Sequence, residues 1–534
     1  MVPAQVGSSC RFMKIRNTFI DELKGLAIVA VVLFHIGLFK WGYFGVDVFY
    51  AIAGYLTAKS VVKRMEDGTF RYGSFLWGRI VRLWPLVLLS GAFALAAGCV
   101  LMMPDDLDHL ARSVFASNCF LNNILCYHSN SDYWATKNEY APMLHFWYLG
   151  VLMQLYAVYP IVEKIERRFT IGKLLLVVLS AASLVGWFIT PVPLHFYNMP
   201  FRFFEFGVGA LAFHFGLRVP DWSMKIPGLA LIGRSSLSIY VWHYIILAFV
   251  RYAVAPSMSA CFVLSYLVAL AAVSWLSHRF IEPLKVNKWL LIAAFALLNV
   301  AASFLYIRAG VVHDIPELDV YSKAVKRGMH LAYCDRIYGY AHDFPSANGK
   351  INVLVMGNSW ARDWANVLLE SSVSNRINVS YIFKSTSPEE RKRRIKAADV
   401  VFVQRPYTPP DVVGKNVYHI GHKYFGPSNG FAYSRRFFDG YYALSVELPK
   451  DVVELNEFDK KECGDRLVDM IGALQNGDGR VPVFSDEKKM ISHDCYHLTQ
   501  GGAKYIAKRM EKKIEAMIPA MGCAGCNSGD SNED

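Results

Sequence analysis

Nine stretches of this chain are too long and too apolar to share one water-soluble core: approximately residues 18–38, 44–62, 83–103, 143–163, 172–190, 201–217, 230–254, 259–278 and 288–309. A run of about 20 apolar residues is the length of a helix that crosses a bilayer. Helices and closed barrels alone satisfy every backbone N–H and C=O in hydrocarbon, which makes a helical bundle the natural fold for such runs. Hydrophobic residues make up 54% of the chain and charged ones 19%, and the mean hydropathy of +0.25 is high for a soluble protein of this length. The formal net charge of +12 lies mainly in segments beside the apolar runs. That pattern points to membrane orientation and away from nucleic acid as a partner.

The basic loops give a topology. Lys63, Arg64, Arg71, Arg79 and Arg82 follow the second run, the stretch from Glu163 to Arg168 follows the fourth, and Lys285 and Lys288 follow the eighth. The positive-inside rule assigns all three to the cytoplasm, together with the short basic lead-in 1–16, in which Met13 is an alternative start. The segment 104–142 has few bases and carries Cys119 and Cys126, so it belongs outside, as does everything after residue 310. The first run is too long for a cleavable signal peptide. The other cysteines are scattered, and Cys334, Cys463 and Cys495 lie where disulfides are chemically allowed. Only Cys523-x-x-Cys526 has a metal-like spacing, too weak to assign a metal.

After residue 310 the pattern changes. Residues 311–350, with Pro316, Cys334, Pro345 and Gly349, read as a linker. Val353–Met356, Val379–Phe383 and Val400–Gln404 read as buried strands separated by helical segments at Arg362–Glu370 and Glu389–Ala398. Strand–helix alternation of this kind implies a parallel sheet with crossovers, an α/β domain over 351–517 that closes with a helix near Gly502–Met517. The Gly-, Ser- and acid-rich tail 518–534 reads as disordered.

Two sets of residues carry chemistry. In the membrane part, Lys24 and His35 stand eleven residues apart, which places them on nearly the same helix face roughly 16 Å apart along the axis. An imidazole in an apolar rod marks a path or a site, although an interfacial His with Lys24 snorkelling at the other end fits the same spacing. In the α/β part, Gly357-Asn358-Ser359 ends a strand and opens a helix, where a Ser hydroxyl is presented beside backbone N–H groups. Downstream, Asp494 precedes His497 by three residues, so one turn can hold an orienting carboxylate and a base.

The stretch Asp21-Glu22-Leu23-Lys24-Gly25-Leu26-Ala27…His35 resembles the signature Asp-Gly-Leu-Arg-Ala-Leu-Ala…His of the acyltransferase-3 family, integral membrane proteins that move acyl groups onto extracytoplasmic glycans. Gly45-Val46-Asp47-Val48-Phe49-Tyr50-Ala51-Ile52-Ala53-Gly54 is similar to another of its runs. So are Arg79-x-x-Arg82-x-x-Pro85, the segment from His145 to Tyr156, Arg202-x-x-Glu205, Trp242-His243 and His278–Pro283. Lys24 stands where the family has Arg, and Leu152-Met153 where it has a Glu pair, so no proton-handling role transfers to those two positions. The family usually has ten such helices, so the count lies between about nine and eleven, within residues 1–310.

What this resemblance implies is a cytoplasmic acyl-CoA, most simply acetyl-CoA, held by Lys24, Arg79 and Arg82, with no further cofactor. His35 would be the central acid, base or relay, and Asp47, His145, Arg202 and Glu205 would line a substrate path. Ordinary positive-inside charge at Arg79 and Arg82 and a structural Arg202–Glu205 ion pair are the plain alternatives. The C-terminal motifs resemble the SGNH hydrolase superfamily, whose flavodoxin-like parallel-sheet fold and Ser–His–Asp machinery would assign catalysis to Ser359, His497 and Asp494. Asn358 replaces the superfamily's Asp, and only Gln404-Arg405-Pro406 lies where oxyanion donors are sought. The joint implication is an O-acyltransferase of a bacterial inner membrane. It would act on a surface or lipopolysaccharide-type glycan, or its lipid-linked precursor, through an acyl-Ser359 outside the cytoplasm. Two rivals stay open: a glycan esterase, and a transporter or sensor that binds glycan without turnover.

The loop charges make sidedness testable. A reporter fused after residue 320 is expected to be active only outside the cytoplasm and one fused near residue 70 only inside; the opposite result at 320 puts Ser359 on the wrong side for a surface acceptor.

Overall fold

A computed structural model describes residues 17–129, 139–220, 222–254, 259–324, 329–346, 348–383, 386–405, 412 and 416–518. The lead-in 1–16, Pro406, the Cys523/Cys526 pair and the tail beyond 518 fall outside them. The chain divides into two compact units, Met1–Gly98 with Asp108–Tyr306, and Cys99–Leu107 with Ile307–Asp534.

The helices of the first part are α1 (Thr18–His35), α2 (Phe44–Glu66), α3 (Tyr72–Leu101), α4 (Pro104–Asn118), α5 (Asn122–Ser129), α6 (Trp147–Phe169), α7 (Leu174–Ile189), α8 (Val192–Tyr197), α9 (Met199–His214), α10 (Leu229–Arg234), α11 (Ser236–Ala253), α12 (Ala260–Leu276) and α13 (Lys288–Ile307). The apolar runs of the sequence are largely helical; the seventh is broken at Ser235 into α10 and α11, and two others shift a boundary. The third begins at Tyr72 instead of residue 83, so Arg79, Arg82 and Pro85 sit inside helix α3. The fourth continues to Phe169, because Glu163 and Arg167 pair one turn apart, Nε to Oε1 at 2.7 Å, and support the extra turns.

Among the described residues four helices are long and apolar enough to cross a membrane by length and composition: Tyr72–Leu101, Ser236–Ala253, Ala260–Ile281 and Lys288–Ile307. Helices α1, α2 and α6 are as long but carry charge, and part of that charge is buried among their neighbours: Asp21 and Glu22 on α1, Glu163 and Glu166 on α6. Each of these carboxylates is engaged. Asp21 faces Arg234 at 3.3 Å, Glu22 accepts from Ser223 Oγ and the Met224 N–H, and Glu166 accepts from the Leu176 N–H.

Glycine sets the closest approaches. A Cβ at Gly209 of α9 would lie 1.8 Å from the Ala51 carbonyl oxygen of α2, and one at Gly54 of α2 would lie 2.0 Å from the Phe206 oxygen of α9. The two backbones therefore touch, the small-residue packing that holds helices together where no hydrophobic effect drives them. The family-like run 45–54 thus has a packing role in full view.

The second unit opens within the stretch read as linker. Ile315, Val320 and Met103 join a small core with Tyr433 and Phe484, and Ile337 joins the main one. Helix α14 (Met329–Asp335) precedes β1 (Ile351–Met356), α15 (Ser359–Leu369), β2 (Ile377–Ile382), α16 (Pro388–Ala397), β3 (Val400–Gln404), β4 (Asn416–Ile420), α17 (Asn429–Tyr433), β5 (Ser445–Val446), α18 (Lys450–Cys463), β6 (Leu467–Val468), α19 (Met470–Leu474), β7 (Val481–Pro482), α20 (Gln500–Arg509) and α21 (Glu511–Met517). The main sheet has the order β2-β1-β3-β4-β6 and every pairing in it is parallel. With β5 and β7 set apart as an antiparallel pair, this is the doubly wound 2-1-3-4-5 order of a flavodoxin-like sheet. Strand β1 is buried from both faces, with Val353, Leu354 and Val355 at 0% exposure, which is why it reads as an unbroken apolar run.

The α2–α9 contact predicts a graded outcome. Gly209→Val forces backbone apart at an overpacking cost of about 1–3 kcal/mol or more, and the monodisperse fraction of full-length protein in detergent is expected to fall severalfold. Gly73→Ala, with nothing within 4 Å of the added carbon, should leave it unchanged.

Candidate active site

In the membrane unit, a cavity of about 160 Å³ is lined by Lys24, Arg79, Arg82, Thr57, Tyr148 and Tyr240, among others. Three of its walls were legible in sequence. Helices α1 and α3 bring their cations to one space, and the guanidinium of Arg79 is steadied over the ring of Tyr156, 4.6 Å from its centroid. Leu152 also lines it, so the position where the resembled family has a carboxylate is an apolar wall here.

His35 does not line that cavity. It ends α1, its Nδ1 2.9 Å from the Val31 carbonyl, while Arg251 donates to the His35 carbonyl oxygen at 2.7 Å. Its ring lies 5.0 Å from that of His243, and His243 lies 5.1 Å from His145. His243 Nδ1 faces the Tyr240 carbonyl at 2.6 Å and His145 Nε2 the Val241 carbonyl at 3.0 Å. A ring nitrogen against a carbonyl must carry the hydrogen, so His145 Nδ1 and His243 Nε2 keep lone pairs, and both atoms are buried without a hydrogen-bond partner. Tyr240, which lines the cavity, donates its hydroxyl to the His145 carbonyl at 2.6 Å. The imidazole group is therefore adjacent to the cavity through one tyrosine.

Asp47, Arg202 and Glu205 form a further cluster. Arg202 Nη1 lies 2.6 Å from Glu205 and 3.1 Å from Asp47, with its guanidinium over the rings of Phe196 and Trp147. A buried cation held by two carboxylates and two aromatic faces is a structural tie between α2 and α9. Glu282 likewise accepts from Ser238 Oγ at 2.6 Å.

In the α/β unit the edge at the carboxyl ends of β1, β3 and β4 collects polar side chains. Gly357 has φ +146°, and a Cβ there would meet Gln404 at 2.6 Å, so only glycine lets β1 turn into α15. The Asn358 side chain caps that helix by accepting from the Trp360 N–H at 2.9 Å. Asn serves as an N-cap as well as Asp does, which accounts physically for the departure at this position. The Asn358 N–H in turn donates to Gln404 Oε1 at 2.8 Å, so the amide oxygen of Gln404 is occupied holding the Ser359 turn.

Asp494 and His497 are brought together: Nδ1 to Oδ2 is 2.7 Å, and the second carboxylate oxygen accepts from the Tyr496 and His497 N–H groups. Burial pushes the Asp494 carboxyl up, but the His497 hydrogen bond, the neighbouring imidazoles His493 and His497 and the Tyr496 N–H outweigh it and hold it well below the usual carboxylate range. The ionised Asp494 thus fixes hydrogen on Nδ1 of His497 and leaves its Nε2 with a lone pair. His493 stands beside the pair, its Nε2 3.8 Å from Asp494. Ser359 and His497 are not hydrogen-bonded to each other, but their elements are tied. Asp363, one turn beyond Ser359 on α15, accepts from the Leu498 N–H at 3.2 Å and forms a buried ion pair with Lys423. Cys334 adds its Sγ 3.7 Å from Asp363, and burial with that carboxylate pushes the thiol up to about 12. Sequence reasoning missed Asp363 and Lys423, which carry no motif and stand beside other polar residues, Arg362 and His422.

Residues 17–231 match the family described as an acyltransferase domain. The chain is 31% identical over 204 residues to a protein of Komagataeibacter xylinus named as the membrane-bound transacylase BcsY, covering 38% of this chain and 52% of that one. It is 28% identical over 145 residues to the peptidoglycan O-acetyltransferase OatA of Listeria monocytogenes, 26% of this chain and 23% of the other. A Staphylococcus aureus (strain COL) protein named as an O-acetyltransferase is 25% identical over 162 residues, 29% of this chain and 26% of its own length. The chain thus spans about half or less of the length of these relatives. No solved structure matches it.

The Asp363–Lys423 pair yields a stability prediction. Asp363→Ala leaves a buried ammonium unpaired, expected to cost about 3–5 kcal/mol, and to lower the unfolding temperature of the full-length protein by several degrees. Replacing both partners with apolar residues, Asp363→Leu with Lys423→Met, should restore most of the loss.

Proposed function

We propose that the protein is a membrane O-acyltransferase, most simply an O-acetyltransferase, that moves an acyl group from a cytoplasmic acyl-CoA to a hydroxyl of a surface glycan. The observation that carries this reading is the cavity in which Lys24, Arg79 and Arg82 meet within the residues that match the acyltransferase family. Three cations around an otherwise apolar space suit the phosphates of a nucleotide-bearing thioester, with the two Arg forks binding in bidentate fashion and Lys24 as a point charge. The buried lone pairs of His145 and His243 beside His35 supply proton acceptors next to that cavity, and His35 is the group assigned to acid–base chemistry there.

The α/β unit supplies the acceptor half. Ser359 attacks the acyl carbonyl as His497 takes its proton; the acyl–Ser359 ester forms as the bond to the acyl carrier breaks, and His497 passes that proton to the departing carrier, which regenerates the neutral base. A sugar hydroxyl then gives its proton to His497 as its oxygen attacks the ester, and the proton returns to Ser359 Oγ as that bond breaks. Support for this half is the intact Asp494–His497 pair and the placement of Ser359 beside the β1/β3 crevice, where doubly wound sheets bind their ligands. The relatives named as O-acetyltransferases favour acetyl as the group moved.

The test is glycan acylation in cells carrying Ser359→Ala at wild-type protein level, expected to fall by about 10³-fold or more because nucleophile and base act as a unit. His35→Ala is expected to abolish glycan acylation while the full-length protein inserts normally and still cleaves an activated acetyl ester at Ser359. Full acylation by Ser359→Ala would assign transfer to the membrane unit alone.

A further inference from the structure

The reading above leaves a second histidine–aspartate pair without a role. His422 follows β4, and its Nδ1 lies 2.7 Å from Asp459 Oδ2; Arg405 follows β3, and its Nε donates to Asp459 Oδ1 at 3.1 Å. Asp459 itself is 1% exposed, so one buried carboxylate fixes both a guanidinium and an imidazole. Hydrogen is thereby held on Nδ1 of His422, and Nε2 keeps its lone pair, the same tautomer that Asp494 imposes on His497.

The position of this pair matters more than its existence. The His422 ring packs edge-on to the indole of Trp360 with centroids 5.1 Å apart, and Trp360 directly follows Ser359. Gln404, the residue before Arg405, holds the Asn358 N–H on Ser359's other side. Strands β1, β3 and β4 are consecutive neighbours in the sheet, so their carboxyl ends deliver Ser359 with Trp360, Arg405 and His422 to one crevice. A purely structural Asp459 would be satisfied by a single buried cation. This one instead orients two side chains that both stay partly open to solvent, Arg405 at 17% and His422 at 18%.

An indole face, a fixed hydrogen-bond acceptor and a guanidinium are the chemistry that holds an anionic saccharide: C–H faces of the ring on the indole, a hydroxyl on the imidazole nitrogen, a carboxylate or phosphate on the guanidinium. We propose that Trp360, His422 and Arg405, fixed by Asp459, form the acceptor subsite beside Ser359 and take a sugar bearing an anionic group. The proposal rests on Ser359 being the acyl carrier. His422 is a positioning residue here: its Nε2 accepts a hydrogen bond from a sugar hydroxyl, and His497 remains the base.

The experiment uses the full-length protein in nanodiscs, supplied with acetyl-CoA and one of three probes: a neutral oligosaccharide, the same chain with a uronic acid, or the same chain with a phosphate. Acylated sugar and acylated Ser359 are both read by mass spectrometry. His422→Gln is expected to raise the KM for acceptor about tenfold or more and to let acyl-Ser359 accumulate severalfold, since loading proceeds and discharge does not. Trp360→Phe should give a smaller rise in KM. Arg405→Leu should raise KM only for charged probes, and the probe that responds identifies carboxylate or phosphate as the recognised group. An unchanged acceptor KM in His422→Gln, or loss of acyl-Ser359 together with transfer, overturns the subsite. Absence of acyl-Ser359 in the unsubstituted protein instead overturns the reading on which it rests.

Discussion

Burying Arg202 among apolar helices would cost several kcal/mol if the guanidinium were left alone, and the bundle meets that cost with Glu205, Asp47 and two aromatic faces. The same requirement, that charge removed from water be paired, recurs wherever either unit does something specific. Glu163 is matched by Arg167, Lys173 and His214, Asp363 by Lys423, and Asp459 by Arg405 and His422. Pairing restricts geometry, because a buried ion pair tolerates few arrangements. These clusters therefore fix where α2 meets α9, and where the Ser359 helix meets the His497 loop.

Groups left unpaired then stand out. His145 Nδ1 and His243 Nε2 are buried lone pairs without a hydrogen-bond partner, and they lie one tyrosine from a cavity lined by three cations. In the α/β unit His497 and His422 each have one ring nitrogen tied to a carboxylate. A fully satisfied polar group stabilises, whereas a half-satisfied one held in place is ready to act on a ligand.

The apolar runs, the strand–helix alternation and the two motif sets were legible in the chain because each rests on local periodicity or on residues a few positions apart. Lys24 with His35 and Asp494 with His497 are of this kind, and so is Gly357-Asn358-Ser359, whose Asn turns out to be a helix cap. Asp363, Lys423, His422, Asp459 and Arg405 were not legible as a site. They lie up to dozens of residues apart, on separate crossovers, and a lone Asp or His in an α/β domain has no pattern of its own. Within 311–350, Ile315, Val320 and Ile337 look like isolated apolar residues in a polar stretch until the cores they enter are seen.

The sequence by itself determined that the first part is a helical bundle and the second a parallel-sheet domain, since hydrophobic period and run length dictate how backbone polar groups are satisfied. It also supplied the charges of the cavity and the Asp–His pair, which need only a helix turn to meet. Only the tertiary structure decided which residues share a site. It set Arg79 and Arg82 of α3 against Lys24 of α1, made Asp47 a partner of Arg202, and brought Ser359, Arg405 and His422 to one sheet edge. Those meetings depend on strand order and on glycine-limited helix contacts, long-range terms that no local stretch of sequence encodes.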